Sequence, residues 1–203
     1  MKLAIPSGPF RAYLFDCDGT IADSMPLHYL AWRKALAPWN CNYAEELHYA
    51  WGGRPTTEII SALNARDGLA IPVEATAQHK EEYYYELLQQ LEPVPEVLEI
   101  IRAEYGRTPF AVVSGSNRES VLKSLEAIGL AGVFPVIVSS EEYKRPKPAP
   151  DAYLVAAIRL SVSPADCLVF EDTEIGLQGA AAAGMQAVRV PSPLERRSQA
   201  LTP

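Results

Sequence analysis

Five short apolar runs constrain this chain more than any other feature: Ala12 to Asp16, Pro109 to Ser114, Val133 to Ser139, Cys167 to Glu171 and Gln186 to Val190. Each has the length and composition of a buried strand. Between the last four lie segments with helical period, such as Val121, Leu122, Leu125 and Ile128, then Leu154, Ala157 and Ile158. Strands that alternate with helices predict a parallel sheet with helices on both faces, a doubly wound α/β core. Between the first and second runs the alternation stops. The stretch from Asp23 to Glu92 has no β-rich run, while helical stripes recur at Met25, Tyr29, Trp32 and Leu36, at Ile59, Ile60 and Leu63, and at Tyr83, Tyr84, Leu87, Leu88 and Leu91. Turn-prone clusters at Pro38 to Asn42, Gly52 to Pro55 and Gly68 to Pro72 separate them. The reading is a core made of residues 1–22 and 93–203, with an all-helical domain of three stripes at 23–92 inserted after the first strand. The tail from Pro191 to Pro203 is expected to be a partly frayed end.

Charge narrows the partners. The 203 residues carry 18 Lys plus Arg against 25 Asp plus Glu, a formal charge of -7, so no net positive field attracts a phosphate backbone. Nucleic acid is excluded on that ground, and a small-molecule partner and a monomer are expected. Cys17, Cys41 and Cys167 are an odd number at no ligand spacing, which argues against a disulfide framework or a zinc site and reads as buried thiols in a reducing compartment. Only Leu3, Ala4 and Ile5 stand between Lys2 and Pro6, too short for a secretory signal, and no apolar run is long enough to span a membrane. A cytoplasmic protein is expected.

The chemistry-bearing residues fall at the ends of the apolar runs. Asp16-Cys17-Asp18-Gly19-Thr20 follows directly on the first, so two carboxylates leave a strand end where α/β sheets place their ligand crevice. Carboxylates this close repel unless a divalent cation or a shared proton relieves them, and oxygen donors of this kind suit Mg²⁺. Alone, the segment is equally an acidic turn. Ser114-Gly115-Ser116-Asn117 ends the second run and opens a helix, where hydroxyls, free N–H groups and the helix dipole converge on an anion; a capping turn of ordinary kind has the same composition. Lys147-Pro148-Ala149-Pro150-Asp151 is a stiffened loop that carries a lysine, with Pro150 expected at the first helical position and Asp151 in the first turn. Lys144 and Arg145 read as surface charges. Glu171-Asp172 adds two acidic groups at the same sheet edge as Asp16, and the small residues Gly176, Gly179, Ala180, Ala183 and Gly184 read as a helix that approaches the sheet closely.

Taken in order, D-x-D-G-T, S-G-S, K-P-x-P-D and E-D resemble the motifs of the haloacid dehalogenase-like superfamily of phosphohydrolases, and the resemblance spans nearly the whole chain. The helical insert resembles the cap of the subgroup that contains β-phosphoglucomutase and small sugar-phosphate phosphatases. So do Phe-Asp-Cys-Asp-Gly-Thr-Ile-Ala-Asp-Ser, His28 four residues before Trp32, and the run from Val169 to Ala180. The fold this implies is a Rossmann-like core under a helical cap. The activity it implies is a Mg²⁺-dependent phosphatase of small phosphorylated metabolites, sugar phosphates of the fructose 1-phosphate or deoxyhexose phosphate type.

The same resemblance assigns roles. Asp16 is the expected nucleophile that forms an aspartyl-phosphate, Asp18 the acid and then the base, and Ser114 and Lys147 the grip on the phosphoryl oxygens. Mg²⁺ is expected on Asp16, the backbone carbonyl of Asp18 and Asp172, with Glu171 close by. Gly115, Ser116 and Asn117 are expected beside the substrate, and His28, Arg54 and Lys80 on the cap side. Cys17 pairs with no histidine base and is not expected to be a nucleophile. Two alternatives stand beside this reading. One is a β-phosphoglucomutase-like mutase, in which an arginine for the second phosphate follows a cap glycine by three residues; counted from Gly53 that position is Thr56, counted from Gly52 it is Pro55, and Arg54 is out of step. The other is a non-enzymatic phospho-acceptor or binding module that uses the tyrosine-rich surface around Tyr83 to Tyr85.

Overall fold

The computed structural model describes residues 3–200, with side chains through Arg196. The chain runs β1 (Ala12–Phe15), α1 (Met25–Leu36), α2 (Glu45–Ala50), α3 (Thr56–Asp67), α4 (Val73–Leu87), α5 (Pro95–Glu104), β2 (Phe110–Val113), α6 (Arg118–Ala127), β3 (Val136–Val138), α7 (Asp151–Leu160), β4 (Cys167–Glu171), α8 (Glu174–Ala182), β5 (Gln186–Arg189) and α9 (Pro193–Ala200). The strands form one parallel sheet in the order β3-β2-β1-β4-β5. From β1 the chain steps outward to β2 and β3, whereas β4 and β5 lie on the other side. The C-terminal end of β1 is therefore at the point where the winding reverses, the usual ligand position in an open α/β sheet.

Alternation along the strands sorts the core into two chemically different layers. Tyr13, Phe15, Phe110, Phe170 and Val188 face α5 and α6, with Phe15 stacked on Phe170 at 4.7 Å between ring centroids. Leu14, Ala111, Val113, Cys167 and Val169 face the opposite side, where Ala152, Ala156 and Ala157 of α7 and Ala180 of α8 leave room for close approach. The reading of the small residues in α8 holds at its first turn: a Cβ on Gly176 would fall 2.0 Å from the Glu171 carboxyl.

The strands are shorter than the apolar runs. Asp16 and Ser114 lie one residue past β1 and β2, and Val133 to Pro135 form a turn before β3. The N–H groups of Asp16 and Ser114 still bond to the neighbouring strands, at Phe170 O and Val138 O, while their polar side chains turn into the crevice. β5 is an edge strand with Gln186 and Arg189 exposed rather than buried. In the described part of the tail α9 continues to Ala200, and Arg196 in it donates to Asp23 Oδ1 at 2.8 Å and to the Pro191 carbonyl; residues 201–203, the end of the stretch expected to fray, lie outside the described residues.

Four α-helices, not three, stand between β1 and α5. The unforeseen one is α2, six residues long and too short to show a period. The third stripe marks only the end of α4, which begins at Val73 and gives way to a 3₁₀ turn before Leu91. Trp32, Leu36, Tyr43, Ile59, Ile60, Leu63 and Ile71 form a hydrophobic cluster of the insert's own, and α1 lies along α4. The insert's two connections run side by side, Asp23 N–H donating to Glu92 O at 2.9 Å and Val94 N–H to Ile21 O at 2.9 Å. Cys17 and Cys167 are buried, but Cys41 is only half-buried, its thiol 3.7 Å from Asp67, because it sits in the turn after α1. Among the described residues no helix is long and apolar enough to cross a membrane.

Candidate active site

The two aspartates at the end of β1 point in different directions. Asp16, 3% exposed, turns toward the sheet edge, where its Oδ1 accepts from Lys147 Nζ at 2.7 Å. Lys147 also donates to Glu171 Oε2 at 2.7 Å and to the Val113 carbonyl at 3.2 Å, so it bridges the ends of β1, β2 and β4. Glu171 is bound on both oxygens, by Tyr153 Oη at 2.8 Å on Oε2 and by the Thr173 hydroxyl and N–H on Oε1. Its carboxylate holds Lys147 in place. Asp172 accepts from Thr20 Oγ1 at 3.3 Å, and a Cβ on Gly19, whose φ is +91°, would collide with it.

One ammonium thus faces three buried carboxylates. Oxygens of Asp16, Glu171 and Asp172 lie within 4.8 Å of one another. Burial raises Asp16 to about 8, with the charge of Glu171 adding to the effect and Lys147 offsetting part of it. Burial, Glu171 and Asp16 push Asp172 well above the usual carboxylate range. Burial also works against a charged Glu171, but Lys147 and Thr173 outweigh it and hold that group below its ordinary value. Burial disfavours a charged Lys147 as well, yet Asp16 and Glu171 keep it well above the ordinary lysine value. A divalent cation would remove the imbalance, and a compact set of oxygen donors fits one such as Mg²⁺.

Asp18 turns the other way, toward the insert. Its Oδ1 accepts from Ser24 Oγ at 2.7 Å and from His28 Nε2 at 3.0 Å; its Oδ2 accepts from Ser116 Oγ at 2.7 Å and lies 3.4 Å from Ser114 Oγ. Burial would raise this carboxyl, but His28, Ser24 and Ser116 together hold it below the usual range. The His28 ring is fixed by its neighbours. Lys80 Nζ, which as an ammonium only donates, lies 2.8 Å from His28 Nδ1, so Nε2 carries the proton given to Asp18. Tyr84 stacks on the same ring at 3.8 Å.

Ser114 is buried just past β2, and its Oγ accepts the Ser116 N–H at 3.0 Å. Gly115 has functional need of its missing side chain: a Cβ there would sit 2.4 Å from the Gly53 carbonyl, in the loop where the insert rests on this turn. Asn117 is turned away, its side chain accepting the Ser120 N–H at 2.8 Å as the N-cap of α6. It does not line the pocket over the two aspartates. That pocket is lined by His28, Lys80, Thr56, Gly115 and Ser116 among polar groups and glycines, and by Met25, Trp32, Trp51 and Ile59 among apolar ones. Arg54 lines it too, its guanidinium over the Trp51 ring at 5.4 Å. Pro150 precedes α7 rather than opening it, while Asp151 does stand in the first turn, paired with Arg145 at 2.7 Å. Burial, with Asp18 and Asp16 adding to it, raises the Cys17 thiol well above its ordinary value, which disfavours a thiolate.

Several residues at the site carry no signal of their own in the sequence. His48 lines the pocket from the unforeseen α2, and Tyr153 and Glu81 are embedded in ordinary helical stripes. Ser24 alone had a readable mark, four residues before His28 and so on the same helical face. Tyr84 is fully buried, which removes the continuous tyrosine surface expected at Tyr83 to Tyr85.

The family model described as haloacid dehalogenase-like hydrolase matches residues 13–190. The chain is 37% identical over 182 residues to the fructose-1-phosphate phosphatase YqaB of Escherichia coli (strain K12), covering 89% of this chain and 96% of that protein. It is 30% identical to the phosphorylated carbohydrates phosphatase of Thermotoga maritima, over 88% of this chain and 83% of the relative. In fold it is similar to β-phosphoglucomutase from Clostridium difficile, with a TM-score of 0.82, 22% identity, and coverage of 93% and 87% of the two chains.

Proposed function

Because the chain belongs to the haloacid dehalogenase-like hydrolases, we propose that it is a Mg²⁺-dependent phosphatase of small sugar phosphates that works through a phosphorylated Asp16. The divergence of the two aspartates supports this reading: one carboxylate faces Lys147 and the acidic cluster, and the other faces His28 of the insert, where a leaving group would lie. Residues 23–92 act as a cap over a core of residues 1–22 and 93–203. Asp16, Asp172 and the backbone carbonyl of Asp18 would hold Mg²⁺, with Glu171 close by and occupied chiefly with Lys147. When bound, the cation neutralises the charge that otherwise keeps a carboxylate away from a phosphate.

In the first step an Asp16 oxygen attacks phosphorus in line, the Asp16–phosphorus bond forms, and the bond to the sugar oxygen breaks. Asp18 gives its proton to the departing alkoxide. At rest His28, Ser24 and Ser116 hold Asp18 ionised; an anionic phosphate beside it would raise its proton affinity, so that it takes up the proton it then donates. In the second step Asp18 takes a proton from water as that water attacks the phospho-aspartate, and inorganic phosphate leaves. Ser114 and Lys147 hold the phosphoryl oxygens throughout, and Ser116 and the N–H groups of its turn complete the grip.

Aromatic and hydrogen-bonding groups of the cap, with His28, Lys80 and Arg54 among them, suit a polyhydroxylated carbon chain, and the relatives named for fructose 1-phosphate and phosphorylated carbohydrates support a hexose phosphate. Thr56 or Pro55, whichever stands where the mutase pattern has an arginine, supports transfer to water over return to a second phosphosugar. The test is a panel of sugar phosphates, fructose 1-phosphate included, assayed for phosphate release with Mg²⁺ and with chelator. Mg²⁺-dependent release is the expected result. Interconversion of two sugar phosphates without net release would replace the reading with a mutase.

A further inference from the structure

Glu81 is a buried cap carboxylate, 8% exposed, that none of the roles above uses. Its two oxygens serve different parts of the molecule. Oε1 accepts from Lys80 Nζ at 2.9 Å and from Thr56 Oγ1 at 3.2 Å, both within the cap. Oε2 accepts from Ser120 Oγ at 2.9 Å, in the first turn of core helix α6. Ser120 is also the residue whose N–H is capped by Asn117, directly after the turn that carries Ser114, Gly115 and Ser116. Two further contacts continue the seam with helical spacing on both sides: Tyr84 Oη to Ser124 Oγ at 2.7 Å, and Lys123 Nζ 3.7 Å above the Tyr85 ring.

We propose that Glu81 is a positioning residue that ties the seating of α4 on α6 to the orientation of Lys80 and, through Lys80, of His28. The inference rests on the phosphatase reading for its kinetic consequence, but not for its structural one. Lysine has long rotamer freedom, and the Lys80 ammonium reaches His28 Nδ1 in a single geometry. The Glu81 carboxylate fixes that geometry from behind, at a distance of one residue along the helix, while its other oxygen lies at the N-terminal turn of α6, where a negative charge is favoured. Burial opposes a charged Glu81, but Lys80 and Ser120 outweigh it and hold the group below its ordinary value. With Lys80 held, only Nε2 of His28 bears a proton, and Asp18 receives it. A cap lifted from α6 loses Ser120 as a partner, and the relay Glu81–Lys80–His28–Asp18 loses its anchor.

Two measurements test this. The first needs no substrate: ring ¹⁵N shifts of the histidines, with His28 assigned by its loss in His28→Gln. The wild type is expected to show His28 as a single Nε2–H tautomer, and Glu81→Gln to show a mixture. Ser120→Ala, a milder change, is expected to shift the ring in the same direction. An unchanged tautomer in Glu81→Gln overturns the proposal. The second is kinetic. Glu81→Gln is expected to lower kcat/KM for fructose 1-phosphate by about tenfold, and for 4-nitrophenyl phosphate by less, because that leaving group departs without a proton. On a Lys80→Ala background, Glu81→Gln is expected to add nothing further. Equal losses on both substrates, or losses that add to those of Lys80→Ala, mean a structural role only and overturn the proposal. A wild type that fails to hydrolyse any sugar phosphate refutes the function proposed above, and the tautomer measurement still decides the role of Glu81.

Discussion

The floor and the roof of the pocket are built on opposite plans. On the floor, Asp16, Ser114, Glu171 and Asp172 stand at or just after the ends of neighbouring parallel strands, and Lys147 crosses three of those ends. The strands are buried on both faces, so the positions of these groups are fixed by the sheet itself. On the roof, His28, His48, Thr56 and Lys80 come from four different helices; Lys80 meets His28, while His48 is held by Met25 and Tyr43 and Thr56 by Glu81. The floor concentrates charge, three carboxylates around one ammonium, which suits a cation and a phosphate common to every substrate. The roof presents rings, a hydroxyl and the cationic donors Lys80 and Arg54, which suits the proposed recognition of what varies between substrates. The proposed chemistry and the proposed choice of substrate are therefore assigned to different parts of the molecule, joined where His28 meets Asp18.

The sharpest way to break the comparison is on the floor. Asp16→Asn is expected to lower turnover by about a thousandfold or more on every phosphate ester alike, sugar or aryl. Steady-state rates across the panel check this, and a loss confined to sugar phosphates would show that the floor also selects. On the roof, Lys80→Ala is expected to raise KM for a hexose phosphate by about tenfold, with a smaller change for a small aryl phosphate, since the contact proposed for Lys80 is with the sugar. Equal effects on both would remove Lys80 from the specificity groups.

The smallest expected effect concerns only stability of the roof. His48 Nε2 donates to the Met25 carbonyl at 2.9 Å, and Tyr43 Oη lies 3.3 Å from Nδ1, so the ring is held neutral. Burial, helped by the nearby charge of Lys80 and opposed by the Met25 bond, lowers this histidine to about 3. A group with a depressed folded value contributes its full stability above its ordinary value. That contribution is lost as pH falls toward the folded value, because the unfolded chain takes up a proton that the fold refuses. The loss should reach about 2 kcal/mol at pH 5. Thermal unfolding of the wild type is expected to weaken between pH 6.5 and 4, and His48→Gln to show a flatter acid limb. Parallel curves for the two proteins would mean that other groups set the acid limit.

Legibility followed the same division. Each floor residue belongs to a short motif next to an apolar run, so adjacency in the chain already implied adjacency at the sheet edge; Asp16, Asp18, Ser114, Lys147, Glu171 and Asp172 all come together there. The roof residues were legible one at a time, by resemblance, but not their pairings. Lys80 meets His28 across 52 residues of sequence, and Glu81 meets Ser120 across 39. Asn117 illustrates the limit on the floor itself: its residue type fits both an anion grip and a helix N-cap, and only the turn's geometry selects the latter. Helix α2 went unseen because six residues hold less than two turns and show no period.

By itself the sequence determined the sheet, its parallel winding, the helical insert and the acidic edge, because strand and helix periodicities and strand-end motifs are local properties of the chain. Tertiary structure alone decided which way each aspartate points, which carboxylate holds the lysine, and how the helices of the insert seat on α6. Those outcomes depend on packing between segments far apart in the chain, where many side chains of the same type compete and only the shape of the fold decides which of them meet.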